Sequence, residues 1–134
     1  MTGVARVAGE TGVKSKREPG YKKLIVWQNT YTLRKLIYKL TARFPRSEMR
    51  RVSHMRDSAR SAKQNIQEGY KRASRGIYIH FLTISQGSLG ELKGDVEDSC
   101  EDGLMSKEEY EEADALICKT DYLFTRLINS LRKK

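Results

Sequence analysis

Ser106-Lys107-Glu108-Glu109-Tyr110-Glu111-Glu112-Ala113 opens the segment that decides the fold. Ser106 and Glu109 have the spacing of a capping box, in which each side chain satisfies the other's exposed backbone amide. The acids of this first turn also suit the positive end of a helix dipole. Ala113, Leu116, Ile117, Thr120, Leu123, Phe124, Leu127, Ile128 and Leu131 then recur at spacings of three and four for about five turns. Arg132, Lys133 and Lys134 stand at the end, where the dipole favours cations. One long amphipathic helix with a single apolar stripe needs other helices to cover it.

The rest of the chain supplies three. Leu33, Leu36, Ile37 and Leu40 form a stripe on a first helix that starts near Tyr21–Leu24 and is stopped by Pro45. Trp27 and Tyr31 make an i,i+4 aromatic pair there; core packing is the preferred role for Trp27 over base stacking. Val52, Met55, Ala59, Ala62 and Ile66 form a thin, heptad-like seam on a second helix from about Ser47, with Gly69 as its C-cap. Ser74 caps a third helix. Its stripe is read as Ile77, Phe81, Ile84, Ser88 and Val96, with Leu82, Leu89 and Leu92 beside it. Gly87 and Ser88 mark a close helix approach, and Gly103 ends the helix. No segment alternates as a strand would. The expectation is an all-α, antiparallel up-down four-helix bundle over residues 21–134, after a flexible basic tail over 1–20.

Composition bounds the function. The chain has 134 residues, 32% of them charged, enough for one domain with one core. No apolar run is long enough to span a membrane, the stripes are needed for the core, and the N-terminus has no apolar signal region. Two cysteines, Cys100 and Cys118, do not make a disulfide scaffold, and reduced thiols in the cytoplasm are expected. The net charge is +9 and is unevenly placed. Residues 21–76 hold fifteen basic and three acidic side chains, net +12, whereas residues 77–134 hold seven and twelve, net -5. An anionic partner, nucleic acid first, is the expectation.

Catalytic chemistry is not indicated. His54 and His80 have no metal-ligand spacing with Cys, Asp or Glu; His54 is expected to be solvated or on a phosphate, and His80 packed. Glu91, Asp95, Asp98 and Asp102 follow 4, 3 and 4 spacing, but no Glu-x-x-His motif accompanies them. A solvated or ion-paired acidic face is expected. No phosphate-binding loop or nucleophile motif occurs, so no catalytic residue, metal or cofactor is assigned.

Two segments carry a resemblance. Ser61-Ala62-Lys63-Gln64-Asn65-Ile66-Gln67-Glu68-Gly69-Tyr70 and Phe81-Leu82-Thr83-Ile84-Ser85-Gln86-Gly87-Ser88-Leu89-Gly90-Glu91-Leu92 resemble S-I-x-x-N-I-A-E-G-Y and F-L-x-x-A-x-G-S-x-x-E-L stretches. Those stretches belong to the four-helix bundle proteins encoded in 23S rRNA intervening sequences. The likeness covers about residues 21–132; Ala62, Lys63, Gln67 and Ser85 depart from the pattern. The same fold family includes the accessory variability protein of diversity-generating retroelements. The resemblance implies a homopentameric barrel of bundles. For the retroelement relative it also implies a basic surface that binds nucleic acid and a reverse-transcriptase partner.

The first functional expectation is a non-enzymatic oligomer that binds RNA or DNA through phosphate contacts. The candidate residues are Arg50, Arg51, Arg56, Arg60, Lys63, Lys71, Arg72 and Arg75, with Lys71, Arg72 and Arg75 as the stronger cluster. Asn65, Glu68, Gly69, Gly87, Ser88 and Glu91 are expected to fix the bundle and its subunit contacts, Glu91 by pairing with an arginine of the second helix. The alternative is a structural or adaptor oligomer that docks a protein partner such as a polymerase.

Overall fold

The computed structural model describes residues 19–134, so the tail expected over residues 1–20 lies, through residue 18, outside the described residues. Four helices follow: α1 Ile25–Thr41, α2 Met49–Tyr70, α3 Arg75–Glu101 and α4 Lys107–Arg132. Short 3-10 turns, Gly20–Lys23 and Arg46–Glu48, precede α1 and α2. No strand occurs among the described residues.

Local chemistry sets most of the boundaries. The Ser106–Glu109 capping box is formed in full at the start of α4. The Ser74 hydroxyl accepts from the Ile77 amide at the start of α3. Gly103 takes a φ of 78° just past the end of α3, a conformation that costs a side chain strain. α1 ends at Thr41, and Pro45 lies in the extended conformation before the next turn.

The helices close into a square. α1 packs on α2 and α4, α3 packs on α2 and α4, and the backbones of the diagonal pairs stay apart. Contacts run in opposite chain directions across each side. Trp27 reaches Gln67 and Tyr38 carries Arg56, while Ser61 meets Ser88 and Arg51 meets Asp102. On the remaining sides Lys93 meets Asp114, Gln86 meets Thr125, and Arg43 meets Glu109. The architecture is therefore an antiparallel four-helix bundle, as short connections between long helices require. Leu33, Ile37, Met55, Ile66, Leu82, Leu89, Leu92, Ile117 and Phe124 are fully buried at its centre.

The third helix differs from the expected stripe. Its buried residues are Leu82, Ser85, Leu89, Leu92, Val96 and Ser99, whereas Ile77 and Ile84 are exposed. Apolar residues surround its early turns, so periodicity alone did not choose the face. Among the described residues nothing lies within 4 Å of a Cβ at Gly87, Gly90 or Gly94, so of the close approach expected at Gly87 and Ser88 only Ser88 touches a neighbouring helix, at Ser61.

Close approach occurs instead at Gly69. It does not cap α2: the helix continues to Tyr70, and Gly69 is buried. A Cβ at Gly69 would stand 2.6 Å from the Cβ of Phe81. Glycine is required here by packing between α2 and α3, not by backbone conformation. One helical turn away, Asn65 donates to the Ser61 carbonyl at 2.9 Å and the Ser61 hydroxyl at 3.0 Å. That hydroxyl meets Ser88 at 2.9 Å. These residues lock α2 to α3.

Candidate nucleic-acid interface

No acid occurs between Tyr21 and Ser47, so every charge on α1 is positive. On α2, Arg56, Arg60, Lys63 and Gln67 stand four, three and four residues apart and share one face. Antiparallel packing lays that face beside the outer face of α1. The result is a ledge of alternating cations and aromatic rings. Arg34 and Arg56 flank the Tyr38 ring, with guanidinium carbons 4.8 and 4.4 Å from its centroid. Arg56 also donates to the Thr41 hydroxyl at 3.0 Å. Lys35 lies 5.1 Å from the Tyr31 centroid, and Lys22 and Lys63 lie 5.9 and 6.0 Å from that of Trp27.

Arg34, Lys35, Arg60 and Lys63 form no ion pair among the described residues; Lys63 donates only to side-chain carbonyls, Gln67 at 2.9 Å and Gln64 at 3.5 Å. Burial lowers the Lys63 ammonium from its usual pKa of 10.5, and the positive charges of Arg34, Arg60 and Lys22 lower it further. Both acids of α2 are engaged elsewhere. Glu68 pairs with Arg72 at 2.7 Å, and Asp57 acts on His54.

The basic residues picked from the sequence divide into two groups. Arg56, Arg60 and Lys63 come together on the ledge. Arg51 does not: it is clamped by Glu48 at 2.9 Å and Asp102 at 2.7 Å, which ties α2 to α3. The connection residues expected to form the stronger cluster are dispersed. Arg72 pairs with Glu68 and covers the Phe81 ring at 5.3 Å, Arg75 donates to the Lys134 carbonyl at 2.7 Å, and Lys71 is exposed. Arg50 is also exposed, on a different face of α2. Arg34, Lys35, Tyr31 and Tyr38 were not selected from the sequence. Their signal was the i, i+3, i+4, i+7 alternation of ring and cation on an acid-free helix.

The acidic series of α3 meets α2. Glu91 is exposed, and its neighbour is His54 at 3.7 Å rather than an arginine. His54 Nδ1 is hydrogen-bonded to Asp95. His80 is exposed at the edge of Phe81 and not packed in the core. The hydrogen bond to Asp95, then its charge and those of Glu91 and Asp57, raise His54 above the usual 6.5. A raised native pKa means that the fold binds the proton more tightly than the unfolded chain does. The contribution is therefore complete below about pH 6 and is lost as pH rises through the raised value. Solvent screening keeps it small, because the His54 side chain is 54% exposed. Tm is expected to fall slightly from pH 6 to 9, and His54→Gln is expected to flatten that slope in a thermal-melt series.

The opposite side of the bundle is acidic. Glu97, Asp98, Glu101, Cys100 and Tyr110 line an open depression between α3 and α4. Cys100 and Cys118 are both free. Among the described residues no cluster of His, Cys, Asp and Glu is arranged to hold a metal, and no helix is long and apolar enough to cross a membrane.

Comparison with known proteins places the fold. No curated protein matches the chain. A crystal structure of a protein of unknown function from the S23 ribosomal protein family of Bacteroides thetaiotaomicron superposes with a TM-score of 0.69. It is 20% identical, over 78% of this chain and 98% of that one, and it shows a shared fold. A family model described as 23S rRNA-intervening sequence protein matches residues 22–125, a span that holds all of α1, α2 and α3 and most of α4. The chain with this cation-lined bundle therefore belongs to the 23S rRNA-intervening sequence protein family.

Proposed function

We propose that the protein is a non-enzymatic nucleic-acid-binding protein whose α1–α2 ledge contacts phosphates. The observation that carries this reading is the face on which Arg56, Arg60 and Lys63 of α2 stand beside Arg34 of α1, with Arg34 and Arg56 over Tyr38 and Lys63 over Trp27. Arg34, Arg60 and Lys63 form no ion pair among the described residues, and an anionic partner relieves the repulsion among them. Arginine and lysine at this spacing supply affinity with little sequence selectivity.

The protein acts as an oligomer in this proposal. Ile77 and Ile84, 43% and 39% exposed, precede the open glycines of α3 and supply an uncovered surface for a second copy. The resemblance to retroelement accessory proteins extends the proposal to a cytoplasmic pentamer that presents nucleic acid to a reverse transcriptase. The segregation of charge favours one second reading, an adaptor whose basic side docks an acidic protein surface. The acidic depression between α3 and α4 is one surface of that kind.

A salt titration of binding to labelled structured RNA and duplex DNA, with mass measured by light scattering, separates these readings. With about four phosphate contacts, the logarithm of affinity for the duplex is expected to fall with the logarithm of salt at a slope of about -3.6. The particle is expected to be several times 15.4 kDa. A particle of that size with no binding at low salt overturns the nucleic-acid reading in favour of the adaptor.

A further inference from the structure

We propose that the ledge takes a single strand of nucleic acid, with bases stacked on the Trp27–Tyr31 pair and on Tyr38 while the flanking cations hold phosphates. The inference rests on the phosphate-binding reading above and adds the class of ligand.

Phosphate binding alone needs no exposed rings, yet the cations here are interleaved with them. Tyr31 is 40% exposed and Tyr38 is 37% exposed, both on the ledge. Tyr31 is stacked on Trp27, with ring centroids 5.3 Å apart and planes 19° from parallel. The lower ring of this stack is held in place. Trp27 Nε1 donates to Gln67 Oε1 at 2.9 Å, and Tyr21 packs on the indole at 5.5 Å. Gln67 Oε1 also accepts from Lys63, so one side chain fixes both the ring and a cation. A base added on Tyr31 would extend an ordered stack, with little freedom left to lose.

Spacing agrees with this arrangement. Tyr31 and Tyr38 are seven residues apart on α1, about 10 Å along its axis. That distance is about three stacking intervals of a nucleic-acid strand. Arg34 and Lys35 lie between the two rings, within reach of the phosphates joining those bases. Lys35 rests near Tyr31 and Arg34 over Tyr38, and both have to swing aside onto phosphates before bases stack on these rings, while Arg56 stays anchored to the Thr41 hydroxyl. A duplex buries the faces of its bases in its own stack, so it leaves these rings without partners. A single strand offers both faces and phosphates, and base–aromatic stacking tolerates any sequence.

The test uses the full chain and four 12-nucleotide probes: an unstructured RNA, an unstructured DNA, a duplex, and an abasic backbone of equal length. Trp27 is the one tryptophan of the chain and lies beneath Tyr31, so its fluorescence reports a ligand added to that stack. Both base-bearing single strands are expected to quench Trp27 and to bind more tightly than the duplex and the abasic backbone. Tyr31→Ala is expected to weaken single-strand binding by about 5- to 150-fold and to leave abasic binding unchanged. Tyr31→Phe is expected to retain wild-type affinity, and melting curves confirm the fold of each variant. Equal affinity for base-bearing and abasic strands, with Tyr31→Ala neutral, overturns the stacking platform and leaves the phosphate ledge standing. Failure to bind any probe at low salt overturns both.

Discussion

Arg34→Glu combined with Lys63→Glu is expected to reduce nucleic-acid affinity by about 100-fold or more, on the order expected for two charged hydrogen bonds lost. The salt slope should shallow by about 1.4 for a single strand, which is two contacts' worth of released counterions. The reason lies in where these two residues stand. Arg34 is on α1 and Lys63 is on α2, and each raises the positive potential at the other. Reversal removes two phosphate contacts and places two anions against the phosphates that remain. Tm is expected to change little: attraction to Arg60 and Lys22 replaces repulsion, whereas the mutual repulsion of the two positions persists between carboxylates and the Lys63–Gln67 hydrogen bond is lost. The matched control is Lys71→Glu with Arg75→Glu, at the α2–α3 connection. Those side chains lie off the ledge, so the control should leave most of the affinity in place. If the control variant loses binding and the ledge variant keeps it, the interface belongs at the connection.

Gly69→Ala is expected to destabilise the fold by about 1–3 kcal/mol, the range for overpacking a close-packed contact. In an exposed helix the same change stabilises by up to about 1 kcal/mol, since alanine is the better helix residue. Here the new methyl would meet Phe81 at 2.6 Å and Tyr78 at 3.2 Å, and the first is a Cβ anchored to the α3 backbone. The two helices have to separate, which also strains the neighbouring Ser61–Ser88 contact. A Tm lower by roughly 5–10 °C is expected for a domain of this size. Gly87→Ala provides the contrast, because nothing lies within 4 Å of a Cβ there. It is expected to raise Tm in an isolated bundle. A lower Tm together with a smaller particle by light scattering would mean that another subunit packs on this stripe.

Together these results separate two uses of the segments that resemble the family motifs. Gly69 and Ser88 join α2 to α3, Asn65 holds Ser61 in place for Ser88, and Glu68 restrains Arg72 at the helix end. The binding proposal rests on other residues, mainly the acid-free α1 and one face of α2. A change in the motif should therefore appear first in stability, and a change on the ledge first in binding.

The sequence by itself determined four helices, three of their caps and most of the core. Those features depend on residues within about four positions of one another. The Ser106–Glu109 box, the Ser74 cap, the turn at Gly103 and the stripes of α1, α2 and α4 are all of this kind. α3 was less legible because apolar residues surround its first turns and three glycines interrupt it. Tertiary structure alone decided which cations are free. Arg51 is held by Asp102, fifty-one residues away, and the ring–cation ledge joins Trp27 to Gln67 across forty. Whether a charge is neutralised depends on what packing brings within a few ångströms, and helical periodicity carries no record of that.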